Sequence, residues 1–412
     1  MRCDPPGVSD THHPLLPTAT PLLRAGGQAP QVGGVDSTDG VLLGPDGSGV
    51  AALLRGLDGR RAQGAVLADA AREGLDPADV AGVLDGLRAA GLLLDVDAAD
   101  LLAADAGPAS AARTAAEIPG VLTRAGGAAW RARRGAVVLV DGATRVGTPL
   151  AAVLAASGVG RVSIRDTGLT TAGDVVVGGL SAADEGRPRA LAAADAIRRA
   201  SPLTDLRPLP TGAAADLVVL ARAWGASDPL VEDIHRSGVP HLVAAVRGQT
   251  GVVGPLVVPG VTSCLRCADL HRRDADPRWP RLAAQLTATD PPPSGTTVTC
   301  LLTAATAAVQ VLAYLDGTGS PGTLDATIEL RPPDHAPRLR RWPAHRACGC
   351  GAAGRPAPEA VVTPAGDPVG SPPGGGDGAQ ATMAAERAHE LTREDTAAPH
   401  TGVSAPTRRT LE

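Results

Sequence analysis

Two cysteine pairs carry the clearest chemistry in the chain: Cys264-Leu-Arg-Cys267 and, much later, Cys348-Gly-Cys350. Thiolates are soft ligands, and four of them gathered by a fold suit a tetrahedral zinc ion. Such a site leaves no coordination position open, so its role is structural. The plain alternative is a set of reduced, unbound thiols. A second constellation follows an apolar run: Val137 to Val140 leads into Asp141-Gly142-Ala143-Thr144-Arg145-Val146-Gly147 and then a helical pattern. A strand, a glycine turn and a helix start can cradle a phosphate, because glycine permits the tight turn and the helix offers free amides. Gly142 and Gly147 hold the outer glycine places, but the middle one, where backbone normally approaches the phosphates, is Thr144. Its branched, oxygenated side chain narrows the path of a nucleotide. Asp166 ends the following strand, where an acid can read ribose hydroxyls. An ordinary strand-end turn residue would look the same.

The elements that must position these groups alternate. Val137 to Val140, Arg161 to Arg165, Asp216 to Ala221 and His241 to Val246 read as strands. Thr148 to Ser157, Arg187 to Ala200 and Pro229 to Ser237 read as helices between them. This order predicts an α/β, Rossmann-like, doubly wound and mainly parallel sheet, with Val252 to Val258 as a further strand. Thr297 to Leu315 reads as a buried core helix that ends at Asp316-Gly317. Ahead of this unit, residues 13–96 give short strand signals at Pro21 to Ala25 and Gly40 to Leu43. Three helices follow, Gly49 to Leu57, Arg60 to Glu73 and Asp76 to Ala90. Asp76-Pro77 is a helix-start signal, and Val80, Val83, Leu84, Leu87 and Leu92 form an apolar stripe. A small winged-helix-like α+β domain fits, and so does an anonymous three-helix bundle. The Ala-rich stretch 97–130 reads as a linker containing a helical piece, 131–351 as the nucleotide-binding-fold domain, and 352–412 as a disordered tail too poor in large apolar residues to fold.

Composition narrows the function. The chain has a formal net charge of −5, no Phe and one Tyr, so it lacks the basic groove and aromatic platforms that hold nucleic acid. No run of about 18 apolar residues suggests a membrane span. The first twenty residues carry Pro, His and Asp where a signal peptide needs a basic start and an apolar core, which points to the cytoplasm. In that compartment close cysteine pairs argue for metal over disulfides.

The stretch VVLVDGATRVGTPLAAVLAASGVGRVSIRDTG, with the cysteine pairs after it, resembles the ThiF/MoeB/HesA superfamily of ubiquitin-activating-enzyme relatives. Active members bind ATP and Mg²⁺ and adenylate the C-terminal glycine of a carrier protein. The resemblance implies that Gly142, Thr144, Gly147, Asp166 and Arg189 mark the nucleotide site, Arg189 standing where the family has a Lys. It also implies that Cys264, Cys267, Cys348 and Cys350 hold structural Zn²⁺. Two family features are missing. An Asn-x-x-Arg-Gln signature is replaced by Val175-Val176-Val177-Gly178-Gly179, and the metal-binding Asp after the fourth strand is replaced by Ala221-Arg222-Ala223-Trp224. Asp228 is a poor stand-in, although Asp228 or Asp174 facing the loop beside Arg189 would argue for chemistry. Without that cation and metal, the resemblance implies a degenerate enzyme with no catalytic residue, for which ATP/Mg²⁺ is a doubtful ligand.

The combination of an N-terminal module with a blunted ThiF domain is similar to the cyclodehydratase-associated proteins of azoline-forming peptide (bacteriocin-type) biosynthesis. There a PqqD-like module grips a leader peptide and presents it to an ATP-using partner, commonly of the YcaO type. Here the groove would lie between Val41 to Leu43 and the helix Asp76 to Ala90. The resemblance also implies a homodimer. The alternatives are an active adenylyltransferase of the ubiquitin-like modifier-activating type and, with less support, a dinucleotide oxidoreductase. His345 reads as a surface residue, with ligand replacement or a bond to a thiolate as its alternatives. Cys300 reads as a small buried hydrophobe, with a thioester-forming nucleophile as its alternative.

Overall fold

The computed structural model describes residues 12–17, 19–23, 30–34, 40–43, 47–96, 117–202, 204–210, 213–224, 228–287, 294–317 and 319–352. All belong to one unit, Met1–Arg355. The expected tail from 353 onward and residues 97–116 of the expected linker lie outside the described residues.

The N-terminal part runs β1 (Pro14–Leu15), β2 (Leu22–Leu23), β3 (Gln31–Val32), β4 (Val41–Leu42), α1 (Gly47–Arg55), α2 (Gln63–Arg72), α3 (Pro77–Ala89) and β5 (Leu94–Asp95). Strands β2, β3 and β4 form one antiparallel sheet in that order, and β1 pairs with β5. Helix α3 starts as its sequence dictates: the Asp76 carboxylate accepts the Ala78 amide at 2.8 Å, and Pro77 occupies the first turn. Val80, Leu84 and Leu87 then fall on one face and are fully buried with Val32, Leu54 and Val66.

From Glu117 the chain is helical. Helix α4 (Glu117–Gly135) covers part of the stretch expected to be a linker and packs on a later helix, so these residues belong to the fold. Next come β6 (Val137–Asp141), α5 (Gly147–Ala156), β7 (Arg161–Arg165), α6 (Arg189–Ala200), β8 (Leu217–Leu220), α7 (Pro229–Arg236) and β9 (His241–Arg247). They are followed by β10 (Thr250–Val257), α8 (Leu265–Ala275), α9 (Trp279–Thr287), α10 (Thr297–Asp316), β11 (Ala326–Leu330) and β12 (Pro337–Arg341). The sheet order is β12-β11-β10-β9-β8-β6-β7. Strands β7, β6, β8 and β9 are parallel, while β10, β11 and β12 continue as an antiparallel meander. The strand expected at Val252 to Val258 therefore arrives by a hairpin rather than a crossover. Because β7 lies on one side of β6 and β8 on the other, a crevice opens at the carboxyl end of β6.

Helix α10 packs on α4, α5, β9 and β10. Cys300, Ala304, Ala307, Ala308 and Val311 form its buried side, small residues that let the helix sit close to the sheet. Its length and apolar composition would also suit a membrane span. Its other side is open: Val298, Leu302 and Val309 are exposed, so the expected core helix is half-buried.

His241, at the start of β9, is 1% exposed. Burial pushes its ring pKa down to about 4, against a smaller opposing effect of the Val239 carbonyl. The unfolded ring titrates near 6.5, so between pH 6.5 and 4 the unfolded chain binds more protons and stability falls as pH falls. The integrated loss is about 3 kcal/mol. Across that window the urea midpoint of the native chain should fall with pH by more than that of a His241→Leu variant. A constant gap would refute the assignment.

Candidate functional site

The loop after β6 is held by its own side chains. Gly142 has φ +115°, and a Cβ there would meet the Ala221 backbone and Arg222 at 3.0 Å. A Cβ on Gly147 would lie 2.0 Å from the Gly142 carbonyl, so α5 can begin only with glycine. Between them Thr144 Oγ1 donates to the Ala221 carbonyl at 2.8 Å and accepts the amides of Val146 at 3.3 Å and Gly147 at 3.1 Å. Amides at a helix start are the donors an incoming phosphate would use. Here the Thr144 hydroxyl already engages two of them.

The acid expected to read a ribose is engaged in the same way. Asp166 accepts the Ala143 amide at 2.9 Å, the Gly168 amide at 2.8 Å and Arg189 Nε at 3.0 Å. Arg189 also lies 3.6 Å from Asp174. Asp174 is buried and caps a short 3₁₀ turn, taking the Thr171 amide and hydroxyl at 2.8 Å each. Asp174 thus does stand beside Arg189, with one oxygen committed to the turn.

Sequence reasoning missed two partners at this edge. Asp141, the last residue of β6, is buried and pairs with Arg165 Nε at 2.9 Å and Arg222 Nε at 2.5 Å. Arg222 follows β8 and also binds Asp228 at 2.9 Å. Burial disfavours its charge, but the Asp228 and Asp141 carboxylates outweigh this and raise its pKa. Asp228 in turn caps α7 by accepting the Leu230 amide at 3.0 Å. Where the family resemblance places a metal-binding Asp, a guanidinium therefore sits between two carboxylates. The available signal was an acid ending one strand and a cation just after its parallel neighbour, at the same sheet edge.

Arg145 ties the loop to the start of α10, donating to the Gly295 carbonyl at 2.7 Å and to Thr297 Oγ1 at 3.0 Å. Cys300 lies buried there, and burial raises its thiol pKa, the wrong direction for a nucleophile. The structure brings Gly142, Thr144, Gly147, Asp166 and Arg189 to one edge of the sheet.

The four paired cysteines gather elsewhere. Cys264 precedes α8, Cys267 lies in its first turn, and Cys348 and Cys350 follow β12. Sulfur separations are 3.8 Å for Cys264 to Cys267, 3.6 Å for Cys264 to Cys348 and 3.6 Å for Cys267 to Cys350. All four ligand atoms lie within 4.8 Å of one another. A tetrahedron with metal–sulfur bonds of about 2.3 Å has edges of about 3.8 Å, so the set can hold a metal ion. The Cys264 thiol donates to Cys267, which is held well below its ordinary pKa for that reason first and by the His345 amide next. His345 is buried, contrary to its expected surface position. Its backbone N–H lies 3.4 Å from Cys267 Sγ, and its ring lies 2.8 Å from Asp274.

Residues 122–352 match the model of the ThiF family. No curated protein matches the chain. Among solved structures, Escherichia coli MccB with ATP superposes with a TM-score of 0.57 at 16% identity, covering 82% of this chain and 99% of that one. MccB, the microcin C7 biosynthetic enzyme, in complex with N-formylated MccA gives a TM-score of 0.56 at 15% identity, covering 82% and 99%. PaaA gives 0.51 at 17% identity, covering 65% of this chain and 92% of that one. These likenesses show a shared fold. With more than half of its length matching the family model, the chain belongs to the ThiF family.

Proposed function

We propose that this chain is a ThiF-fold scaffold that no longer works on ATP. In this reading it binds a precursor (leader) peptide and presents it to an ATP-dependent cyclodehydratase partner of the YcaO type, in the cytoplasm, during bacteriocin-type peptide biosynthesis. Residues 13–96 serve as the winged-helix-like peptide-binding module, 131–351 as the nucleotide-fold domain, and the four cysteines hold structural zinc. The observation that carries the reading is the self-engaged crevice: Thr144 holds the helix amides, Asp166 is taken by the loop and Arg189, and Arg222 sits between Asp141 and Asp228. A nucleotide and its metal would have to break several of these bonds before making their own. Peptide capture is supported by β4, an edge strand of the three-stranded sheet whose Leu42 is 69% exposed, and by the fold shared with MccB bound to N-formylated MccA.

Calorimetric titration with ATP and Mg²⁺ should give no binding heat, and pyrophosphate exchange should be absent. Micromolar binding together with exchange would favour the second reading, an adenylyltransferase acting on a peptide or carrier-protein carboxylate, which the Asp174–Arg189 neighbourhood supports. For the peptide, polarisation of a labelled precursor encoded beside this chain should report binding, weakened about tenfold or more by Leu42→Asp. Equal affinity in that variant would remove β4 from the interface.

A further inference from the structure

Three of the four tryptophans surround a group of arginines that the scaffold reading does not use. Arg247 ends β9 and lies over the Trp224 ring at 5.7 Å. Arg272, on α8, lies between Trp279 at 5.2 Å and Trp342 at 4.4 Å, and Arg340, on β12, covers Trp342 at 4.3 Å. Asp269 accepts from Arg272 at 3.1 Å and from the Trp279 indole at 3.2 Å. Among the described residues Arg247 and Arg340 have no carboxylate at ion-pair distance, since nearby Glu329 pairs with Arg331. The Trp224 indole N–H is buried and has no acceptor among them either. The group is therefore short of negative charge. Burial and, second, repulsion from Arg247 lower the Arg272 guanidinium to about 10, which still leaves it charged at neutral pH.

Its position is as telling as its charge. Arg247 and Trp224 follow the carboxyl ends of β9 and β8, at the sheet edge where the Gly142 loop follows β6. Ser294 donates to the Val246 carbonyl, and Arg145 of the loop donates to Gly295, so one short segment joins the two places. Ligands of open α/β sheets bind outside these strand ends. A guanidinium group already lies over each of the Trp279, Trp342 and Trp224 rings. Guanidinium forks match a small planar anion.

We propose that Arg247, Arg272 and Arg340 form a carboxylate subsite for an acidic side chain of the peptide that this protein carries. The proposal rests on the scaffold reading for the identity of its ligand. Its test uses the full chain and the intrinsic fluorescence of the flanking tryptophans. The probes are acetyl-Ala-Ala-Ala-Asp-amide, whose only carboxylate is the side chain, and, as control, acetyl-Ala-Ala-Ala-Asn-amide. The acidic peptide should change the emission saturably, and the control should not. Arg247→Met should weaken this about tenfold without lowering the melting temperature, because it removes a half-buried charge that has no carboxylate at ion-pair distance among the described residues. Arg340→Gln, at an exposed strand position, should weaken it severalfold while leaving the fold intact.

Equal responses to both peptides would overturn the proposal. So would unchanged binding in both variants, or a response elicited by ATP and Mg²⁺ in place of the acidic peptide. If the acidic peptide binds here while the precursor fails to bind the N-terminal module, the scaffold reading falls and the subsite stands.

Discussion

Freshly purified protein should contain one zinc ion per chain, and Cys267→Ser should lose both the metal and the packing of the last third of the domain. The four sulfurs join the start of α8 to the segment after β12, alongside contacts of His271 with Pro343, Arg272 with Trp342 and Asp274 with His345. Structural zinc sites contribute on the order of 10 kcal/mol of binding free energy, most of which is available to the fold. If only about 4 kcal/mol of this is lost, a domain of this size melts roughly 8 to 16 °C lower. A thiol-to-hydroxyl exchange keeps the volume, so the effect isolates ligation. Metal analysis by mass spectrometry and a thermal melt check it. Native protein free of zinc, or a Cys267→Ser melt that overlays the native one, would end the assignment.

Arg133→Ala should cost about 3 to 5 kcal/mol in urea denaturation, the usual penalty for orphaning one member of a buried ion pair. Arg133, on α4, is 1% exposed. Its Nε donates to Asp316 at 2.8 Å, its Nη2 makes a second bond to the same carboxylate, and its Nη1 donates to the Ser157 carbonyl at 3.0 Å. One guanidinium thus connects α4, the end of α5 and the end of α10. Truncating it leaves the Asp316 carboxylate and a carbonyl without their donors. The pair Arg133→Met with Asp316→Leu should recover most of the loss, since the charge is removed together with its partner. A single variant costing under about 1 kcal/mol would show that water reaches the pair.

The parallel core was legible because its signals are periodic: apolar runs of strand length alternate with helical patterns from Val137 to Val246. Of the antiparallel part only β10 was, as Val252 to Val258, without its direction; β12 reads Pro-Arg-Leu-Arg-Arg, with no buried residue. Glycines and Pro119 inside α4 made it read as a helical piece within a linker, whereas tertiary contacts such as Arg133 with Asp316 hold it in the fold. In the N-terminal part, the strand signals at Pro21 to Ala25 and Gly40 to Leu43 contain β2 and β4, while β1, β3 and β5, of two residues each, carry too little pattern to be seen. At the site, the sequence identified Thr144 as an obstruction of size, whereas the structure shows a hydroxyl that satisfies helix amides. Pairing Arg222 with Asp141 needs the strand order as well as the strand ends, because only the sheet makes β6 and β8 neighbours. The surface reading of His345 failed because nothing in the sequence places its ring against Asp274, and its bond to a cysteine sulfur comes from the backbone N–H.

The Thr144 closure has a physiological consequence under the scaffold reading. A loop that supplies its own acceptor for the helix amides gains nothing from nucleotide, so its conformation stays the same whether the cell is energy-rich or starved. Energetic control of the assembly then rests with the catalytic partner, and cargo can be loaded before that partner is charged.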